Sequence, residues 1–157
     1  MTPLIRRSTA ADAAAIGELA LEFQGHLRAH GSQTEFHWGA AEYLRDGFGA
    51  DPAFAGLVAE VDGRVVGFAL HDSGYDTAQG ERYVYLIDLF VSAPFRRAGI
   101  GEALMREVGA IGRRRGATSI AWSVLKDDVA ARRFYEKQGA KYIDESRVMW
   151  CPIPALS

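Results

Sequence analysis

Residues 83–106 read YVYLIDLFVSAPFRRAGIGEALMR. From Tyr83 to Val91 the only charged residue is Asp88, a pattern that predicts a strand covered on both faces. Ser92, Ala93 and Pro94 end it, because proline cannot donate to a ladder. From Ile100 onward the apolar residues Leu104, Val108 and Ile111 recur at helical spacing. A turn, Arg96-Arg97-Ala98-Gly99-Ile100-Gly101, therefore joins a buried strand to a helix N-terminus. The first amides of a helix have no intrahelical partner and sit at the positive end of its dipole. Arg96 and Arg97 add full charges, and Gly99 and Gly101 carry no side chain to hold a ligand off the backbone. Such a turn suits a diphosphate. It does not fit a dinucleotide-binding turn, which wants a third glycine where Leu104 stands, nor a P-loop, since no Gly-Lys-Ser/Thr follows.

Residues 1–157 have the composition of one soluble domain: 48% hydrophobic and 24% charged, enough to build a core without disulfides. The formal net charge of −2 gives no electrostatic case for a nucleic-acid partner. One cysteine, Cys151, permits no internal bridge and fits a reducing compartment. No apolar run approaches the length of a membrane span, and the first residues do not read as a signal peptide. The expected location is the cytoplasm.

Along the chain, Leu4–Arg7 reads as a strand, and Thr9 or Asp12 as the cap of a helix carrying the stripe Ile16, Leu19, Ala20, Phe23 and Leu27. Glu18, Glu22, His26 and His30 share another face of that helix. Histidines four apart fit a metal pair, a solvated face or a wall facing a polar substrate; no metal is assigned. Gly31 ends the helix. A second helix is expected over Ala40–Phe48. Ala55–Val61 and Arg64–Leu70 flank Asp62-Gly63, a strong hairpin signal, and a polar loop is expected over Asp76–Arg82. Arg113, Arg114 and Arg115 suit the negative end of the third helix, with Gly116 as its cap, better than a phosphate site. Thr118–Leu125 reads as a strand. Asp127 or Asp128 caps a helix through Gln138, and Lys141–Asp144 and Arg147–Cys151 read as final strands.

The Arg-x-x-Gly-x-Gly pattern at Arg96, Gly99 and Gly101 resembles the acetyl-CoA motif of the GNAT N-acetyltransferases. The segment from Asp128 to Ala140, DVAARRFYEKQGA, is similar to that family's second signature, with Asp128 where the family usually has Asn. The resemblance implies an α/β (α+β) GNAT fold: a mixed, mostly antiparallel sheet of roughly six to seven strands with splayed central strands, flanked by four helices. It implies acetyl-CoA as cosubstrate. Arg96, Arg97, Ala98, Gly99, Ile100, Gly101 and Glu102 would hold its pyrophosphate, and Leu89, Phe90 and Val91 its pantetheine arm. Asp128, Ala131 and Tyr135 would complete the site, with Tyr135 as the acid that protonates the leaving thiolate. Core packing beside Phe134 is the other reading of Tyr135.

A closer resemblance is to the diamine/spermidine acetyltransferases, carried by Tyr43–Gly49, Leu57–Val61, Val66–Ala69 and Tyr85–Val91. It implies a homodimer with the C-terminal strands near the partner. That group has Leu-Glu-Asp on the cofactor strand; here the Glu position is Ile87 and only Asp88 remains. An amine must lose a proton before it attacks a thioester. Asp88 is the candidate to orient water or bind the amine; a strand-bulge carboxylate satisfied by backbone donors is the alternative. Glu22 and His26, with Ile87 and Asp88, are candidate contacts to the acceptor. The expected acceptor is the primary amine of a small molecule. A protein N-terminus or lysine is an alternative acceptor, and a non-catalytic acyl-CoA-binding module an alternative function.

Overall fold

In the computed structural model, which describes residues 2–153, the chain forms two compact units, one ending at Leu125 and one beginning at Lys126. The first holds a five-stranded sheet in the order β1-β2-β3-β4-β5. The strands are β1 (Leu4–Arg7), β2 (Ala55–Val61), β3 (Arg64–Asp76), β4 (Glu81–Val91) and β5 (Ala117–Ala121). All neighbours are antiparallel except β4 and β5. The helices of this unit are α1 (Ala13–Ala29), α2 (Ala40–Gly47) and α3 (Ile100–Arg114). In the second unit α4 (Val129–Glu136) is the α-helix among the described residues.

The predicted stripe of α1 closes one face of the sheet. Ile16, Leu19 and Phe23 pack with Tyr43 of α2 onto Val58, Phe68, Leu70 and Phe90. Burying a large apolar side chain stabilises by about 1.5–3 kcal/mol, so this cluster is what holds α1 and α2 down. The chain enters α1 through a fixed corner. Asp12 accepts from the Thr9 amide at 2.7 Å and from both terminal nitrogens of Arg6 at 2.9 and 2.8 Å, while Arg6 Nε donates to Glu60 at 3.0 Å. Arg6 holds the Asp12 carboxyl below the usual carboxylate range. The Tyr43 hydroxyl donates to the Thr9 carbonyl at 2.7 Å, tying α2 to the same corner. On the opposite face lies α3, with Leu104 and Val108 fully buried. Its Gly112 comes so close to the sheet that a Cβ there would lie 2.9 Å from Val84.

Three expectations need correction. The sequence places a polar loop at Asp76–Arg82, but β3 continues to Asp76 and β4 starts at Glu81. The ladder runs through Asp72↔Tyr85, Ser73↔Val84, Gly74↔Tyr83, Tyr75↔Arg82 and Asp76↔Glu81. Polar residues on an exposed hairpin arm still satisfy their backbone by pairing. The strand after α3 stops at Ala121 rather than Leu125. No strand forms over Lys141–Asp144 or Arg147–Cys151, so the sheet has five strands among the described residues, not six or seven. The second unit offers these segments no third strand, and an isolated two-stranded hairpin is marginal in water. Val148 and Met149 are accordingly 88% and 95% exposed.

On β3, Gly67 pairs with Val91 of β4. A Cβ at Gly67 would stand 2.8 Å from the Phe90 carbonyl oxygen, and a backbone atom cannot rotate aside. Gly67→Ala is expected to destabilise the protein by about 1–3 kcal/mol, the usual scale of overpacking. A denaturant midpoint equal to that of the unmodified chain would rule out this contact.

Candidate active site

One extra residue on β4 determines where its side chains point. Leu70 pairs with Asp88, but the next residue, His71, pairs with Leu86. Ile87 is therefore the inserted residue of a β-bulge. A one-residue shift turns the following side chains to the other face. Before the bulge, Val84 faces α3, and Leu86 shares its parity. After it, Asp88 stands across from Leu70 and shares the face of Phe90, both on the α1 side. Ile87 also packs against that cluster. The bulge thus brings Ile87 and Asp88 to one face, among apolar and aromatic neighbours. Burial pushes the Asp88 carboxyl up to about 7, because a low-dielectric surrounding disfavours the charged form.

β4 also loses a neighbour at this level. Its parallel ladder with β5 ends at Tyr85↔Ala121, while its pairing to β3 runs on to Val91. The splay that the family resemblance implies is present. Along a strand, successive backbone groups point to alternate edges. The Ser92 amide donates to Val66 on β3 at 2.9 Å, so by alternation Phe90 points its backbone to β3, and Leu89 and Val91 point theirs to the open edge. Arg96 Nε donates to the Val91 carbonyl at 2.9 Å, which agrees with that direction. The Arg96 guanidinium also lies 5.3 Å from the Phe90 ring centroid.

Beyond a 3-10 turn over Ala93–Phe95, the chain reverses into α3. Arg97 has φ 62° and Gly99 φ 76°. Gly99 is the N-cap and makes no side-chain cap. A Cβ at Gly99 would meet no protein atom within 4 Å, so what selects glycine is the left-handed backbone. The Ala103 amide closes the first helical bond, to the Gly99 carbonyl at 3.0 Å. The amides of Ile100, Gly101 and Glu102, at the helix N-terminus, are the donors that an α-helix cannot satisfy internally, and the segment Ser92 to Gly99 joins them to the end of β4.

The substrate-facing candidates on α1 separate. Glu22 accepts from the Ser92 hydroxyl at 3.1 and 2.8 Å, so it joins α1 to the end of β4. The His26 ring lies 4.2 Å from the His30 ring and 6.0 Å from Phe90, and His30 Nδ1 lies 2.8 Å from the His26 carbonyl. In the second unit, Asp128 caps α4 by accepting from the Ala131 amide at 2.9 Å. Tyr135 sits edge-on to Phe134 at 5.0 Å. Sequence reasoning missed Ser92 as the partner of Glu22; it raised a strand bulge at Asp88, and the inserted residue is its neighbour Ile87. The break between an apolar run and Asp88 was the available signal for the bulge; nothing in the sequence signalled the Ser92 contact.

Comparison with known proteins gives this geometry a family. The acetyltransferase (GNAT) family profile matches residues 15–140. The bovine (Bos taurus) thialysine N-epsilon-acetyltransferase is 32% identical over 119 residues, 70% of this chain and 69% of that protein. The mouse (Mus musculus) thialysine N-epsilon-acetyltransferase is 35% identical over 114 residues, 67% of this chain and 66% of that protein. Among solved structures, an integron cassette protein from the mobile metagenome of V. cholerae superposes with TM-score 0.80 at 23% identity, covering 99% of this chain and 96% of that one. The protein belongs to the acetyltransferase (GNAT) family, and its fold is that family's fold.

Proposed function

We propose that this protein transfers an acetyl group from acetyl-CoA to the terminal primary amine of a small, lysine-like molecule. The observation that carries the reading is the edge of β4 left unpaired beyond Tyr85, followed across a short turn by the N-terminal amides of α3. An extended arm ending in a diphosphate matches that pair of surfaces: Leu89 and Val91 offer backbone hydrogen bonds to the arm, and Arg96 to Glu102 cradle the phosphates. The family match from residue 15 to 140 runs across the junction at Leu125, which supports reading the chain as one acetyltransferase domain.

Acetyl-CoA supplies an activated thioester. The Leu89 and Val91 amides, directed at the open edge, suit a developing oxyanion. Asp88, titrating near neutrality, takes the amine's proton directly or through water, since a base works best with a pKa near the operating pH. Tyr135 returns a proton to the leaving thiolate. In the pH profile of kcat/KM, Asp88 should produce a limb that rises through about pH 7 as its carboxyl ionises. Asp88→Asn should remove that inflection, and Tyr135→Phe should lower kcat by about 10²-fold without removing it. Stability gives a second readout. Between 3.8 and about 7 the folded state keeps a proton that the unfolded chain releases, so stability should fall as pH rises through that window and level off above it. The Asn variant should lack this slope. An inflection that survives in Asp88→Asn would remove Asp88 from the role.

For the acceptor, the relatives' printed names include amino acids with a terminal amine, thialysine in cattle and mouse and ornithine in an Arabidopsis thaliana protein 32% identical over 84 residues, and also a polyamine, in a human spermidine/spermine N(1)-acetyltransferase-like protein 32% identical over 108 residues. Ile87 argues for the amino acids. It packs in the apolar cluster, so the cleft has one carboxylate fewer for a second cationic centre, and an unpartnered buried charge costs several kcal/mol. Thiol release should be fastest with lysine- or ornithine-like amines and slow with spermidine and with a protein N-terminus. Spermidine as the best acceptor would overturn this choice, and no release with any amine would favour an acyl-CoA-binding module.

The exposed Val148, Met149 and Trp150 support a homodimer that covers them. Among the described residues no helix is long and apolar enough to cross a membrane, which supports the cytoplasmic reading. Light scattering at micromolar concentration should give twice the chain mass; a monomer would remove the dimer.

A further inference from the structure

We propose that a second cavity, at the C-terminal end of α3, binds a small oxyanion, a phosphate or carboxylate group, through Arg7 and Arg115 with His71 at its wall. The cavity measures about 320 Å³ and is lined by β1, β2, β3 and the last turn of α3. Its floor is apolar, from Ile5, Leu57 and Ile111. That volume holds an oxyanion with a short organic body.

The charges around it are unevenly engaged. Arg6 is held by Asp12 and Glu60, and Arg114 by Glu107 at 3.0 Å. Arg7 and Arg115 have no ion-pair partner among the described residues, and both line the cavity with His71, whose imidazole is held neutral first by burial and then by Arg115 and Arg7. Two guanidiniums therefore stand near one buried ring. His71 is only 2% exposed, yet its Nδ1 makes no hydrogen bond to the protein. That nitrogen is closed to solvent, so an anion in the cavity that His71 lines would act on the ring through its charge rather than by bonding that atom.

The arginines at this helix end have an ordinary explanation, complementing the dipole. Here the last carbonyls are already served by backbone donors: the Arg115 amide reaches Ile111 and Gly112 at 3.2 and 2.9 Å, and the Gly116 amide reaches Arg113 at 3.1 Å. Arg7 lies on β1, in no helix, so capping does not account for it. Two carboxylates oppose an anion there: Glu107, which lines the cavity but is paired with Arg114, and Asp72, which acts on His71. With Glu107 neutralised by Arg114, the two guanidiniums of Arg7 and Arg115 outweigh Asp72, and guanidinium forks match carboxylate and phosphate geometry.

The test follows the side-chain nitrogens of His71 by NMR in the ¹⁵N-labelled full chain. Inorganic phosphate and succinate are titrated separately at constant ionic strength set with chloride. A saturable shift of the His71 signals is expected, and the anion that produces it tells phosphate from carboxylate. In the double variant Arg7→Gln/Arg115→Gln the affinity should drop at least tenfold, with acetyl transfer unchanged. No saturable shift with either anion would overturn the proposal. So would a shift that persists undiminished in the double variant, since the anion would then be acting from elsewhere, such as the N-terminus of α3.

Discussion

The pairing of β3 with β4 is the constraint on which the site depends. Its register is fixed on both sides of Ile87, by Leu86 across from His71 and by Asp88 across from Leu70. Both faces of this part of the sheet are covered, so neither half of the strand can slip without moving apolar groups into water. The extra residue therefore has nowhere to relax. It is what turns a carboxyl into the aromatic cluster beneath α1, where dehydration raises its proton affinity. The catalytic property attributed to Asp88 is in this sense produced by the core around it.

The same strand serves two masters along its length. Toward β3 it is a structural member, bonded as far as Val91; toward β5 it is bonded only to Tyr85. Glu22 and Ser92 fasten α1 at the point where the strand ends, and Arg96 folds back onto the Val91 carbonyl. The ligand-facing edge is thus held straight by contacts made on its other side. This is how a backbone can remain available for hydrogen bonding and still be rigid enough to select a partner.

Much of this was legible in the chain itself, for reasons that differ by element. The strand Tyr83–Val91, the glycine turn and the stripe of α3 were readable because periodicity and glycine placement are local properties, although the strand is not covered throughout as expected: Tyr85 is 38% exposed. Asp62-Gly63 marked its hairpin for the same reason. The polar arm at His71–Asp76 was not readable, since its strand character comes from its partner across the ladder. The two C-terminal strands failed in the opposite sense: Ile143, Val148 and Trp150 have strand composition, but composition cannot supply an edge to pair with, and all three are exposed. Glu22 carried the right chemistry for an amine contact, and only the fold reveals that a serine seventy positions away engages it. His71 gave no signal, because an isolated histidine at the end of an apolar run looks the same whether its nitrogens are satisfied or not.

An edge reserved for a ligand is also an edge that another polypeptide can use. Backbone groups aligned in extended conformation are the template on which strands add to one another. From Leu86 to Val91 this protein keeps such a template in its central strand, within one of its most apolar segments. The cosubstrate, by occupying that edge, would act as a guard on colloidal behaviour as well as a reactant. On the proposed reading, the separation of β4 from β5 leaves a backbone edge that the ligand itself covers.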